Sequence, residues 1–216
     1  AAAKKLPAIA DIATKTRHVS HGMMRFAEGK MSSRKGNVIT GESLLQDLQE
    51  AAKTKMQGRQ LADADKIAEQ VAVGAIKYNI LKQGSGKDII FDPEKSLSLE
   101  GDSGPYLQYA LVRARSLLRK ASGATEANSV TPQDKTLERI LVHYAEVVAR
   151  AATELEPHYL TTYLTELAGA FNSWYASERA IVDGQINAYI LKLIEVVEHT
   201  LHEGLTTLGI PTPEEM

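Results

Sequence analysis

Between Pro105 and Ala121 the apolar residues Leu107, Ala110, Leu111, Ala114, Leu117, Leu118 and Ala121 recur every three or four positions. That period belongs to an α-helix with one buried stripe, and Pro105 suits its first turn, where no backbone N–H is needed. The same period returns downstream. Thr131 and Pro132 read as the cap and first residue of a helix lined by Leu137, Ile140, Leu141, Tyr144, Val147, Val148 and Ala151, with a break near His143. After Glu156-Pro157 it continues through Leu160, Tyr163, Leu164, Leu167, Phe171, Trp174 and Tyr175, and a last helix runs over 186–208, closed by Gly209. Helices striped on one face must bury that face on each other, so the expected class is mainly α, a helical bundle. The small polar run 122–131 reads as a loop, and 210–216 as a short non-helical tail.

Upstream, Thr40 reads as the cap of a helix with Leu44, Leu45, Leu48, Ala51 and Ala52 on its apolar face, Glu42 in its first turn and Gly58 beyond its end. A second helix starts near Asp63, carries Ile67, Val71, Gly74 or Ala75, Tyr78 and Leu81, and stops before Gly84 and Gly86. Residues 88–93 read as extended, because Pro93 disfavours helix before it, and 98–104 as a turn-forming loop. Arg17 to Phe26 alternates well enough for a short strand pair turning near Gly22. His18 and His21 lack a third ligand, so no metal is expected there.

The 216 residues suffice for one large or two small domains. No apolar run approaches about 20 residues, so no segment is expected to span a membrane. Residues 1–6 hold two lysines without an apolar core, so no secretory signal is expected. With no cysteine, disulfides and thiolate metal sites are excluded, which fits a cytoplasmic location. A net charge of −2 argues against an indiscriminate nucleic-acid binder. Any RNA contact must come from local patches.

Two such patches stand out. Gly29 to Asn37 holds three cations, Lys30, Arg34 and Lys35, and two hydroxyls, Ser32 and Ser33, between glycines. That mixture suits a phosphate chain, and equally a solvated basic turn. The second is the side of the 105–121 helix opposite its stripe, where Tyr106, Tyr109, Arg113, Ser116 and Lys120 align. Two aromatics beside two cations suit a base stacking next to its phosphate, or two rings packed under the preceding loop with wet hydroxyls. Trp174 reads as core, and Met216 as a frayed end.

Lys30-Met31-Ser32-Ser33 resembles the Lys-Met-Ser-Lys-Ser signature loop of class I aminoacyl-tRNA synthetases, and its continuation through Gly36-Asn37 resembles the arginyl-tRNA synthetase form. Leu99-Glu100-Gly101-Asp102-Ser103-Gly104-Pro105-Tyr106-Leu107-Gln108-Tyr109-Ala110, followed by Arg113, is similar to the opening of that family's anticodon-binding helical domain. Pro157-His158-Tyr159-Leu160, Tyr163-Leu164, Phe171-Asn172 and the Gly204 to Ile210 ending extend the likeness. The family's second signature lysine is replaced by Ser33, leaving Lys35 or Arg34 to supply its charge.

The resemblance implies an arginine–tRNA ligase of which this chain is a C-terminal part. A remnant of the catalytic domain would occupy 1–40, a helical connecting region 41–100 and the anticodon-binding domain 101–216. It implies that Lys30, Ser32, Ser33 and Lys35 act in catalysis, that Lys30, Met31 and Arg34 contact ATP, and that Tyr106, Tyr109, Arg113, Lys120, Trp174, Tyr175 and Met216 bind tRNA. In the family, the segment near Trp174 and Tyr175 together with the terminal methionine forms a pocket for anticodon bases. ATP with Mg2+, and arginine, would be handled only with a catalytic sheet and His-Ile-Gly-His motif that this sequence lacks, so the chain alone is expected to be inactive. The alternative is a free-standing helical RNA-binding module without catalysis.

Overall fold

The computed structural model describes residues 3–26, 40–127, 131 and 133–216. A 3-10 turn and the short α1 (Ala10–Lys15) lead to β1 (Met24–Phe26); α2 (Gly41–Lys55) and α3 (Ala64–Leu81) follow. Next come β2 (Ile89–Phe91), the single turn α4 (Pro93–Ser96), α5 (Gly104–Ala121) and β3 (Thr125–Ala127). The chain continues through α6 (Thr136–Leu141), α7 (Tyr144–Glu154), α8 (His158–Ser177), β4 (Ile181–Val182), β5 (Gln185–Asn187) and α9 (Ala188–Thr207). It is mainly helical, as the periodicity requires.

Helix starts fall where side chains can take up unpaired N–H groups. Thr40 and Ser43 form a reciprocal capping box on α2, while Asp63, Asp92 and Ser103 cap α3, α4 and α5. Gly209 ends the last helix with φ 66°, the left-handed conformation glycine adopts without strain.

Four expectations are corrected. Arg17 to Phe26 does not turn back on itself near Gly22. Its one strand, β1, pairs in parallel with β2, fixed by the Arg25–Asp88 ion pair at 2.7 Å and by Met23 N–H donating to Asp88 at 2.9 Å. Gly22 serves this approach, since a Cβ there would collide with the Lys87 carbonyl. Within 122–131, Thr125–Ala127 is not loop but β3, parallel to β5, which a turn at Asp183-Gly184 pairs antiparallel with β4. The helix expected from Thr131-Pro132 starts at Thr136 instead, where Asp134 accepts from the Thr136 N–H at 2.9 Å; Pro132 lies outside the described residues. Ile186 belongs to β5 rather than to α9, which Asn187 caps by accepting from Tyr189 N–H.

Two apolar clusters result. One gathers α5, α6, α8 and α9 around Leu111, Leu164, Phe171 and Leu201, with Tyr78 reaching in from α3. The other joins α2, α3 and β2 around Leu48, Ala72 and Phe91. α3 and α5 pack together, and they do so through glycines. A Cβ on Gly104 would strike the Gly74 carbonyl, and one on Gly74 would lie 2.7 Å from the Gln108 amide. The tail 210–216 is non-helical but tied down: Gln108 donates to Pro211 O at 2.8 Å, Arg115 to Thr212 O and Pro213 O at 3.1 Å, and Lys77 to Gly209 O.

Candidate nucleic-acid interface

α5 projects Tyr109 and Arg113 one turn apart toward α8. The Arg113 guanidinium carbon lies 4.6 Å from the Tyr109 ring centre and 4.5 Å from that of Tyr175 on α8. It donates to Asn172 Oδ1 at 2.6 Å and to the Tyr109 hydroxyl at 3.1 Å. A planar cation held between two rings and locked by an amide is a three-layer stack. Its members are half-buried, so one edge stays open to solvent. Tyr106 is also half-buried and packs on the first cluster, its hydroxyl beside Gly169 of α8. Lys120 lies exposed at the end of α5. Neither tyrosine is sealed in the bundle, and both share their rings between packing and surface.

Trp174 and Tyr175 part company. Consecutive helical residues diverge by about 100°, so Tyr175 joins Arg113 whereas Trp174 stacks on Phe171, ring centres 5.9 Å apart. Trp174 lines a groove of about 680 Å³ between α6, the end of α8 and α9, with Ser173, Ser177, Arg179 and Ile190. Asp134, Glu138 and Glu178 make that groove net acidic, which suits the amino edge of a base and not a phosphate. Burial pushes Glu138 up, but hydrogen bonds from Tyr189 and Lys135 outweigh it and hold the carboxyl below its usual range.

The structure does not bring Met216 to these aromatics. Met216 packs on the other cluster, beside Ala52, Met56, Val71, Leu97 and Leu99, and Arg59 donates to its backbone oxygen at 2.8 Å. The tail contacts from Gln108, Arg115 and Lys77 carry it away from α8. The expected joint pocket of Trp174, Tyr175 and Met216 is therefore corrected: Trp174 and Tyr175 share Phe171 as a neighbour while facing different sides, and Met216 lies on the other cluster.

Lys30, Met31, Ser32, Ser33, Arg34 and Lys35 lie outside the described residues. Among the described residues no group of three or more His, Asp or Glu side chains could hold a metal, and no helix is long and apolar enough to cross a membrane. Sequence reasoning missed Asn172 as the lock on Arg113; a partner 59 positions away leaves no local signal.

The loop that precedes α5 is braced by the same element that divides the two clusters. The Tyr78 hydroxyl on α3 bonds Asp102 and Thr165, and Lys82 pairs with Asp102 at 3.0 Å. Burial, then the Asp102 hydrogen bond, raises the Tyr78 hydroxyl far above its ordinary value, so it remains a donor.

Residues 107–216 match the family model of the DALR anticodon binding domain. The chain belongs to the DALR anticodon-binding family. Ahead of the DALR segment, residues 1–93 match the model of the class I (R) tRNA synthetase catalytic domain. The DALR chain is 35% identical over 205 residues to an arginine–tRNA ligase of Limosilactobacillus fermentum, covering 92% of this chain and 36% of that protein. It is 34% identical over 220 residues to the arginine–tRNA ligase of Thermus thermophilus, covering 95% and 37%. Among solved structures, Thermus thermophilus arginyl-tRNA synthetase superposes with a TM-score of 0.83 at 31% identity, over 95% of this chain and 36% of that one. A Campylobacter jejuni structure described as an arginyl-tRNA synthetase shares the fold, with a TM-score of 0.58 at 18% identity over 71% of this chain and 35% of that one. The DALR chain thus spans little more than a third of the length of the relatives it matches.

Proposed function

We propose that this chain is the portion of an arginine–tRNA ligase that grips the anticodon arm of tRNA and supplies the signature loop to ATP. The observation that carries this reading is the order of two family matches on one chain, a class I (R) catalytic segment over 1–93 followed by a DALR domain over 107–216. The Tyr109–Arg113–Tyr175 stack supports it. An open aromatic edge with a fixed cation is what an unstacked anticodon base and its phosphate require. In this reading Tyr106, Lys120, Trp174 and Met216 contribute at separate points of the RNA path.

The remaining assignments follow from the same reading. Within the segment matched to the catalytic domain, residues 1–40 carry the part with the signature loop; 41–100 form the helical connecting region, and 101–216 bind RNA. Lys30, with Ser32, Ser33 and Lys35, stabilises the charge that develops on departing pyrophosphate, and Met31 and Arg34 hold ATP, which arrives with Mg2+. Arginine binds in the remainder of the ligase, and the enzyme works in the cytoplasm.

Titration of the chain with arginine tRNA at two salt concentrations tests the first half. Phosphate contacts release counterions, so affinity should fall steeply with salt. No binding at low salt would end the reading. In the full-length ligase, Lys30→Ala should slow adenylate formation far more than it weakens tRNA binding. The 216 residues alone should show no arginine-dependent ATP–pyrophosphate exchange.

A further inference from the structure

On the opposite side of α6 from Trp174, a second groove of about 520 Å³ runs between α6, α7 and α8. Arg139, His143 and Arg150 form its exposed lip, and Ile140, Val147 and Tyr163 its apolar side. Tyr163 is only 5% exposed, and its hydroxyl, closed to solvent, has no hydrogen-bond partner among the described residues. α7 itself buries no residue fully, which leaves its apolar side half-covered along this groove.

We propose that the groove takes one unstacked nucleotide of the tRNA, its phosphate on the Arg139–His143–Arg150 lip and its base against Ile140 and Val147. The proposal rests on the tRNA reading above, yet concerns a contact separate from the Tyr109–Arg113–Tyr175 stack. Three cationic or protonatable groups strung over two helices follow a chain of phosphates better than they surround one small anion. Their present partners are easily exchanged. Arg139 meets Asp134 at 4.0 Å, His143 meets Glu146 at 3.4 Å and Arg150 meets Glu154 at 3.0 Å, all at exposed positions where such pairs are weak. Arg150 already lies 3.9 Å over the Tyr159 ring, a cation–aromatic layer that a base extends. Glu166 on the α8 side repels phosphate and accepts from a base amino group, which sets the direction in which the nucleotide enters.

The test is tRNA binding by the 216-residue chain, followed by fluorescence anisotropy with a transcribed bacterial arginine tRNA between low and moderate salt. Arg139→Ala with Arg150→Ala should lower affinity roughly ten-fold and reduce the salt slope by about 2. Wild-type affinity and slope in the double variant, alongside weakened binding by Tyr109→Ala, would overturn the groove while leaving the anticodon reading intact. Unchanged binding in the double variant and in Tyr109→Ala alike would overturn both.

Discussion

Arg113 is the residue on which the open face of α5 depends. Without it, Tyr109 and Tyr175 lose the spacer between them, and Asn172 loses its charged donor. Tyr109→Ala should weaken tRNA binding by about 1–3 kcal/mol, with helicity unchanged by circular dichroism. Equal affinity would make the ring a packing residue only. Arg113→Lys keeps the charge but loses the planar stack and the fork to Asn172, so it should bind nearly as weakly as Arg113→Ala. Tyr106 differs, because its ring also packs on the first cluster; Tyr106→Ala should lower thermal stability as well as affinity. The sequence made Tyr106, Tyr109, Arg113 and Lys120 legible because helical spacing alone puts them on one side. It could not reveal Asn172 and Tyr175 as their counterparts, which depend on how α8 crosses α5. Nor could it reveal that the tail carries Met216 to the far cluster, since Arg59, Gln108 and Arg115 hold it there through contacts across the fold.

At the scale of elements, caps and close approaches decide the boundaries. Asp92 accepts from Lys95 N–H, and that bond lowers its carboxyl below the ordinary range. A depressed carboxylate contributes stability that is fully present above its unfolded value of about 3.9 and is lost as pH falls through the lower folded value. Asp92→Asn still caps but does not titrate. The melting temperature of the wild type should therefore drop more steeply than that of Asp92→Asn as pH falls below about 4. Parallel curves would remove Asp92 from the acid response. Gly204 is the corresponding device in the bundle, since a Cβ there would sit 2.6 Å from Leu164 Cδ2. Gly204→Ala should destabilise by about 1–3 kcal/mol in urea, as overpacking does; a stability gain would mean that α8 and α9 separate at no cost. Helices with a cap and a stripe could be read directly from the sequence, as Thr40, Asp63 and Gly209 show. The strands at 24–26 and 89–91 fall in segments that read as extended, but their pairing could not be read, nor could β3, because Met24–Phe26 and Thr125–Ala127 are three residues long and find their partners about 60 positions away. Such pairing carries no local pattern.

The whole molecule is organised as two clusters bridged by α3, by the glycine contact between α3 and α5, and by the tail. Ile90 is 68% exposed and Met23 67%, both beside the two-stranded parallel pair β1–β2. Parallel sheets are ordinarily covered on both faces, and this pair leaves Ile90 and Met23 open on one of them. The tail works from the other side. Arg115, with a side chain 12% exposed, pairs with Glu198 at 2.9 Å and Glu214 at 2.8 Å while holding two tail carbonyls, and Glu215 accepts from the Ala62 N–H at 2.7 Å. These contacts reach from α9 across α5 to the start of α3, so they oppose separate unfolding of the two clusters. Arg115→Ala leaves the part-buried Glu198 without its cation and frees two tail carbonyls, whereas Glu214, 75% exposed, returns to water; the loss should be on the order of 1–3 kcal/mol. It should also split a transition that is otherwise shared. Trp174, the single tryptophan, reports on the first cluster, while circular dichroism reports on all helices. In the wild type the two signals should fall together in urea, and in Arg115→Ala the ellipticity should begin to fall before the fluorescence changes. If the two curves stay superimposed in the variant, the tail is a passive end and the clusters are coupled through α3 and α5 alone.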